Sequence, residues 1–124
     1  MLNAKGIGCD LVEVARIREV FAIKKRWSHV FTELECAYFD KYQDPWPIIA
    51  GHFAAKEAVS KALGTGFSNG IGFLDIEISH LESGAPKVCL HHRAHELFPE
   101  CSVLLSISHE KNMAVAFALL LSSF

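Results

Sequence analysis

The sequence has no C-x-x-C pair, no apolar run long enough to cross a membrane and no large excess of charge of either sign. Its four cysteines, Cys9, Cys36, Cys89 and Cys101, are too scattered for a zinc knuckle, a redox pair or a disulfide framework, and read as small reduced hydrophobes. The longest apolar run, Met113 to Leu121, is about half of the ~20 residues that a spanning helix requires. The first residues, Met1 to Gly6, lack the basic region, apolar stretch and cleavage site of an export signal, which predicts a soluble, cytoplasmic protein. Gly6-Ile7-Gly8 has no third glycine behind it, so a dinucleotide fingerprint is rejected. No repeat, low-complexity tract or long linker breaks the chain, and its 124 residues fit one domain spanning 1–124.

What is present is unevenly placed. The chain is 51% hydrophobic, more than one small core absorbs, and the excess predicts an oligomer interface. The net charge is only -2, yet Arg16, Arg18, Lys24, Lys25 and Arg26 crowd one stretch and Glu33, Glu35, Asp40 and Asp44 follow it. A local basic patch of this kind implies an acidic partner, or else a solvated helix face.

Periodicity divides the chain into short elements. Ala4 to Cys9 reads as a strand that runs into a helix start at Asp10. From Leu11 to Ile23, Val14, Ile17, Val20 and Phe21 recur at helical spacing. Thr32 and Glu35 form a capping box that opens a second helix, ending before Pro45. Pro47 suits the first turn of a third, central helix reaching about Leu63, with Gly64 as its left-handed cap. Leu74, Ile76 and Ile78 alternate as in a strand, and Ser83-Gly84-Ala85-Pro86 turns the chain back into Lys87 to Leu90. A short helix over Arg93 to Leu97 precedes a strand with Val103, Leu105 and Ile107, and Met113 to Leu121 forms a last strand apolar on both faces. The expected fold is α+β, a small antiparallel sheet with helices packed on one face.

Three blocks carry polar residues of chemical interest. In Phe53-Ala54-Ala55-Lys56-Glu57-Ala58-Val59-Ser60-Lys61-Ala62-Leu63-Gly64-Thr65-Gly66, Glu57 and Lys61 share a helix face while Val59 and Leu63 point to a core. The pair is either a surface salt bridge or a carboxylate for a metal beside an ammonium for phosphate; Ala54 and Ala58 either pack closely or leave room for a ligand. Asp10, after Gly6-Ile7-Gly8-Cys9, either caps a helix or supplies a second hard oxygen ligand. Magnesium takes one or two carboxylates and fills its shell with water and substrate phosphates, so Asp10 with Glu57 would suffice. Ser106-Ile107-Ser108-His109 places a histidine at a strand end, where it is either a hydrogen-bonded structural residue or available to a ligand.

In order and spacing these three blocks resemble the bacterial holo-acyl-carrier-protein synthases, members of the 4'-phosphopantetheinyl transferase family, over nearly the whole chain. The resemblance implies the fold of that family and a homotrimer with active sites between subunits. It implies magnesium on Asp10 and Glu57, and coenzyme A along the central helix. Asp10, Glu57 and Lys61 would be catalytic; Ser60, Lys61, Gly64, Thr65 and His109 would contact coenzyme A. His52 stands where the family usually has Arg, exchanging a permanent charge for one that titrates near neutrality at an expected phosphate contact. Arg16 and Arg18 would dock the apo-acyl carrier protein; neither nucleic acid nor membrane is expected as a partner.

The implied reaction moves the 4'-phosphopantetheine arm of coenzyme A onto a carrier serine, releases adenosine 3',5'-bisphosphate and supports fatty acid biosynthesis. Positioning and charge stabilisation dominate such transfers, which assigns magnesium and Lys61 to the pyrophosphate. The serine proton passes to a water held at Asp10 or to Glu57; a carboxylate engaged with a metal is a poor base, which favours the water. Two rivals are a zinc hydrolase built on His91 and His95, which has no H-E-x-x-H motif or third ligand, and a non-catalytic oligomeric ligand-binding module.

Overall fold

The computed structural model describes residues 3–122; Met1 and Leu2, part of the N-terminal stretch read above, lie outside them. In chain order the elements are β1 (Asn3–Glu13), α1 (Val14–Val20), a 3-10 turn (Lys24–His29), α2 (Glu33–Phe39), α3 (Trp46–Ala62), a second 3-10 turn (Phe73–Asp75), β2 (Ile76–His80), β3 (Pro86–Leu90), α4 (His92–Leu97), β4 (Cys101–His109) and β5 (Met113–Ser122). None of the described helices is long and apolar enough to cross a membrane. The fold is α+β, but its strands form two antiparallel sheets, β1-β5-β4 and the hairpin β2-β3, where a single sheet was expected.

The central layer is α3 against one face of β1-β5-β4. Ala54, Ala55, Ala58, Val59 and Ala62 on the helix meet Ala116, Ala118 and Leu120 on β5, all buried. Small side chains on both surfaces let the layers approach closely, and the glycines of β1 carry this furthest. A Cβ at Gly6 would run into the carbonyl oxygen of Ala62, and one at Gly8 into that of Ala58. Ala54 and Ala58 are fully buried; their smallness serves this packing and leaves no room for a ligand. A second core, with Val14, Ile17, Phe21, Trp27, Phe31, Phe39 and Ile49, ties α1 and α2 to the start of α3.

Two local readings are corrected. The first strand continues through Asp10 to Glu13, because Asp10, Leu11, Val12 and Glu13 pair with Ala116, Val115, Ala114 and Met113 of β5. Backbone pairing with a strand a hundred residues away outcompetes the helical periodicity, so Asp10 caps no helix and α1 begins at Val14. Val20, expected on the helix's apolar face, is exposed. The capping box of α2 is present as read: Glu35 N donates to Thr32 Oγ1 and Thr32 N to Glu35 Oε1 at 2.9 Å. Gly64 has φ +82, the left-handed cap expected after α3.

Among the described residues no helix covers the outer face of the three-stranded sheet. Ile7 and Leu11 of β1, Leu104 of β4 and Phe117 of β5 are 61%, 64%, 57% and 45% exposed. In register, Leu119 lies between Ile7 and Leu104, and Phe117 between Cys9 and Ser106.

Candidate active site

The close approach of β1 to α3 sets the polar site. It brings Asp10 from the strand beside Glu57 and Lys61 from the helix. Lys61 Nζ donates to Asp10 Oδ1 at 3.0 Å and to the Cys9 carbonyl at 2.9 Å. Of the two readings of Glu57 and Lys61, the salt bridge along the helix face is not the one formed: Lys61 pairs across elements with Asp10. The Asp10 hydrogen bond holds the Lys61 pKa above its ordinary value, so the ammonium persists through neutral pH. Partial burial, joined by the negative charge of Asp10, pushes the Glu57 carboxyl up, against the opposing pull of Lys61.

Two acidic side chains that repel each other, one of them bonded to an ammonium, suit a divalent cation. Among the described residues no three His, Cys, Asp or Glu side chains are grouped closely enough to enclose a metal ion. Magnesium does not require such a cage, because water and phosphate oxygens complete its shell. Asp10 and Glu57 line an open groove of about 580 Å³ with Arg16, Phe53 and Met113. Arg16 thus connects the basic stretch to the carboxylates. Arg18 is exposed on the same helix; Lys24 is paired with Asp40 at 3.2 Å, and Arg26 donates to the Val20 carbonyl at 3.1 Å.

The remaining candidates fall into two places. Ser60 is buried and its hydroxyl donates to the Glu57 carbonyl at 2.7 Å, within the helix. Gly64 and Thr65 follow the helix end, and Thr65 Oγ1 donates to the Gly66 carbonyl at 2.8 Å. His52 and His109 lie elsewhere, in a cavity of about 290 Å³ shared with Tyr38, Tyr42 and His80. His109 is exposed, but His52 is buried and both its ring nitrogens are engaged, Nδ1 with Glu35 Oε2 at 3.3 Å and Nε2 with His80 Nε2 at 2.9 Å. His91, one of the two zinc candidates, pairs with Glu77 at 3.0 Å.

Sequence reasoning missed the buried polar centre behind His52. Lys56 and Glu35 are fully buried and joined at 2.7 Å. Lys56 also donates to the carbonyls of Phe73 and Ile76, and Glu35 accepts from the backbone N–H groups of Thr32 and Ile78. Burial would raise the Glu35 carboxyl, but the bonds from His52 and Lys56 outweigh it and hold the pKa below its ordinary value. A lysine between Ala55 and Glu57 carries no local sign of burial; the one hint was Glu35 at the third position of α2, already explained by its cap.

A model of the 4'-phosphopantetheinyl transferase superfamily matches residues 6–118. The chain is 45% identical over 123 residues to a holo-[acyl-carrier-protein] synthase of Clostridium perfringens, covering 93% of this chain and 92% of the relative. It is 42% identical over 118 residues to the Chlamydia pneumoniae enzyme of the same name, covering 94% and 96%. Among solved structures, a Bacillus anthracis holo-(acyl-carrier-protein) synthase in complex with CoA (3',5'-ADP) superimposes with a TM-score of 0.83 at 38% identity, covering 97% of this chain and 98% of that one. A Helicobacter pylori synthase in complex with coenzyme A gives 0.82 at 34% identity, covering 92% and 98%.

Proposed function

The chain belongs to the 4'-phosphopantetheinyl transferase superfamily, and we propose that it is a magnesium-dependent holo-acyl-carrier-protein synthase acting as one domain over 1–124. It transfers the 4'-phosphopantetheine arm of coenzyme A to a serine of apo-acyl carrier protein, in support of fatty acid biosynthesis. The observation that carries this reading is the meeting of Asp10 and Glu57 in one groove, with Lys61 bonded to Asp10, although Asp10 is separated from the other two by more than forty residues of chain. Four free, dispersed cysteines suit a cytoplasmic setting.

Asp10 and Glu57 hold the magnesium, which supplies Lewis-acid stabilisation of the pyrophosphate when bound. Lys61, kept protonated by Asp10 and half exposed, offers an ammonium to the phosphate oxygens. The carrier serine oxygen bonds to the β-phosphorus as the bond to the bridging pyrophosphate oxygen breaks, and adenosine 3',5'-bisphosphate leaves with that electron pair. The serine proton goes to a water hydrogen-bonded at Asp10. Arg16 and Arg18 meet the acidic carrier, and Arg16 guides its serine toward the groove it lines.

A homotrimer completes the account. The uncovered apolar face of β1-β5-β4 supports assembly through that sheet. The expected site residues are divided within one chain, with Asp10 and Glu57 lining one groove, Lys61 bonded to Asp10, and His52 and His109 in a separate cavity. Sites between subunits reconcile this, one copy supplying each half. Incubation with coenzyme A, magnesium and an apo-carrier protein should add the mass of one arm to the carrier. Coenzyme A binding with no transfer to any apo-carrier would instead favour the oligomeric binding module.

A further inference from the structure

The hairpin β2-β3 is fastened to the helices by a side-chain pair that stands where a strand would. Among the described residues β2 pairs with β3 alone, and a hairpin of two strands has little stability of its own. Successive residues of such a strand direct their backbone groups to alternate sides. Ile76 and Ile78 turn theirs away from β3, toward α2 and α3. On that open edge Lys56 Nζ donates to the Ile76 carbonyl, and the Ile78 N–H donates to Glu35 Oε2 at 3.3 Å. A donor and an acceptor, two residues apart along β2 and joined to each other at 2.7 Å, reproduce what a neighbouring strand would offer. The remaining Lys56 proton goes to the Phe73 carbonyl at 3.0 Å, so all three donors of the ammonium are used.

We propose that Lys56 and Glu35 are positioning residues for coenzyme A: their ion pair supplies the missing edge of β2, fixes the hairpin against α2 and α3, and so holds the cavity between them in shape. In assigning that cavity to coenzyme A the inference rests on the transferase reading; the substitute edge does not. The cavity wall comes from both sides of the pair, with Tyr38 of α2 and His52 of α3 on one side and His80, Gly84 and Pro86 of the hairpin on the other. Tyr38 and His80 stack across it with ring centroids 4.2 Å apart. A buried ion pair adds little stability over apolar side chains of the same volume, so what Lys56 and Glu35 contribute is the fixed geometry of these bonds. The groove of Asp10 and Glu57 is set differently, by the close approach of β1 to α3 at Gly8, and none of the described hairpin residues lines it. Two neighbours on one helix thus divide the work: Glu57 opens to the groove, and Lys56, fully buried, holds the hairpin. Loss of the pair therefore weakens coenzyme A binding and spares the transfer step.

The test uses the full chain and the double variant Lys56→Met with Glu35→Gln, which removes both charges together and leaves neither ion buried alone. In calorimetric titrations with coenzyme A and magnesium, the dissociation constant of the double variant should rise about tenfold or more. Its kcat at saturating coenzyme A, and the magnesium needed for half-maximal rate, should stay within about twofold of wild type. Coupling between two sites is reciprocal, so in the wild type saturating coenzyme A should slow amide hydrogen exchange at Ile78 by about the same factor, a measurement that needs no variant. A folded double variant with wild-type coenzyme A affinity, or Ile78 exchange that saturating coenzyme A leaves unchanged, would overturn the proposal. A wild-type chain that binds no coenzyme A would instead remove the transferase reading, and slow exchange at Ile78, lost in the double variant, would still uphold the substitute edge.

Discussion

Gly8→Ala is the smallest change that should separate the two halves of the groove. A Cβ at Gly8 would overlap the Ala58 carbonyl oxygen and lie 2.9 Å from both the Ala58 carbonyl carbon and the Ala62 nitrogen, where about 3.4 Å is the near limit of ordinary contact. All three atoms are helix backbone, which no rotamer change can move aside. Strand and helix must therefore part by about 1 Å, and overpacking of this kind costs about 1–3 kcal/mol or more. Asp10 is two residues along the same strand, and its bond to Lys61 spans the widened gap. A displacement of about 1 Å in a catalytic group costs on the order of 100-fold in rate. Turnover per folded molecule, with the folded fraction set by thermal unfolding, should fall by about that factor, and more magnesium should be needed for half-maximal rate. Gly6→Ala meets the Ala62 carbonyl in the same way but lies farther from Asp10, so it should lower stability comparably and turnover less. A Gly8→Ala protein with normal melting, rate and magnesium dependence would refute the link between this contact and the site.

Other expectations follow from single contacts. Glu35→Gln leaves Lys56 buried without its anion and should cost about 3–5 kcal/mol by denaturant unfolding. Because the folded Glu35 pKa is lowered, its stabilisation is present above the ordinary carboxylate range and lost as acid takes the pH down through the folded value; this part of the wild-type acid transition should vanish in Glu35→Gln. Arg16→Glu should raise the KM for carrier protein several-fold with little change in coenzyme A binding, and equal damage to both would assign Arg16 to the cofactor. Phe117→Asp, in the middle of the uncovered sheet face, should yield monomers by light scattering with greatly reduced turnover, whereas an active Phe117→Asp monomer would remove the trimer from the account.

Local chemistry made much of this fold readable. The capping box at Thr32 and Glu35, the glycine after α3 and the alternation of Val103, Leu105 and Ile107 are signals contained within a few residues, and the structure has each of them. The end of β1 was not readable, since Asp10 to Glu13 are held by β5 from the far end of the chain. The same limit hid the buried centre. Lys56 is stabilised by Glu35, Phe73 and Ile76, and His52 by Glu35 and His80, partners 17 to 28 residues away that no spacing rule connects. Asp10 and Glu57 were singled out through the family resemblance and a rule about magnesium ligands. Why they meet became visible only in the Gly8 contact with Ala58.

The central claim is that Asp10 and Glu57 act together on one magnesium ion, and the most direct measurement is turnover against magnesium concentration for Asp10→Asn, Glu57→Gln and the double variant. Each single change removes an anionic ligand while nearly keeping its shape, so each should lower turnover by a large factor and raise the magnesium needed for half-maximal rate. If the two act as a unit, the double variant should be little worse than the more damaging single one. A folded Glu57→Gln protein with wild-type turnover and wild-type magnesium dependence, or penalties that simply multiply in the double variant, would contradict it.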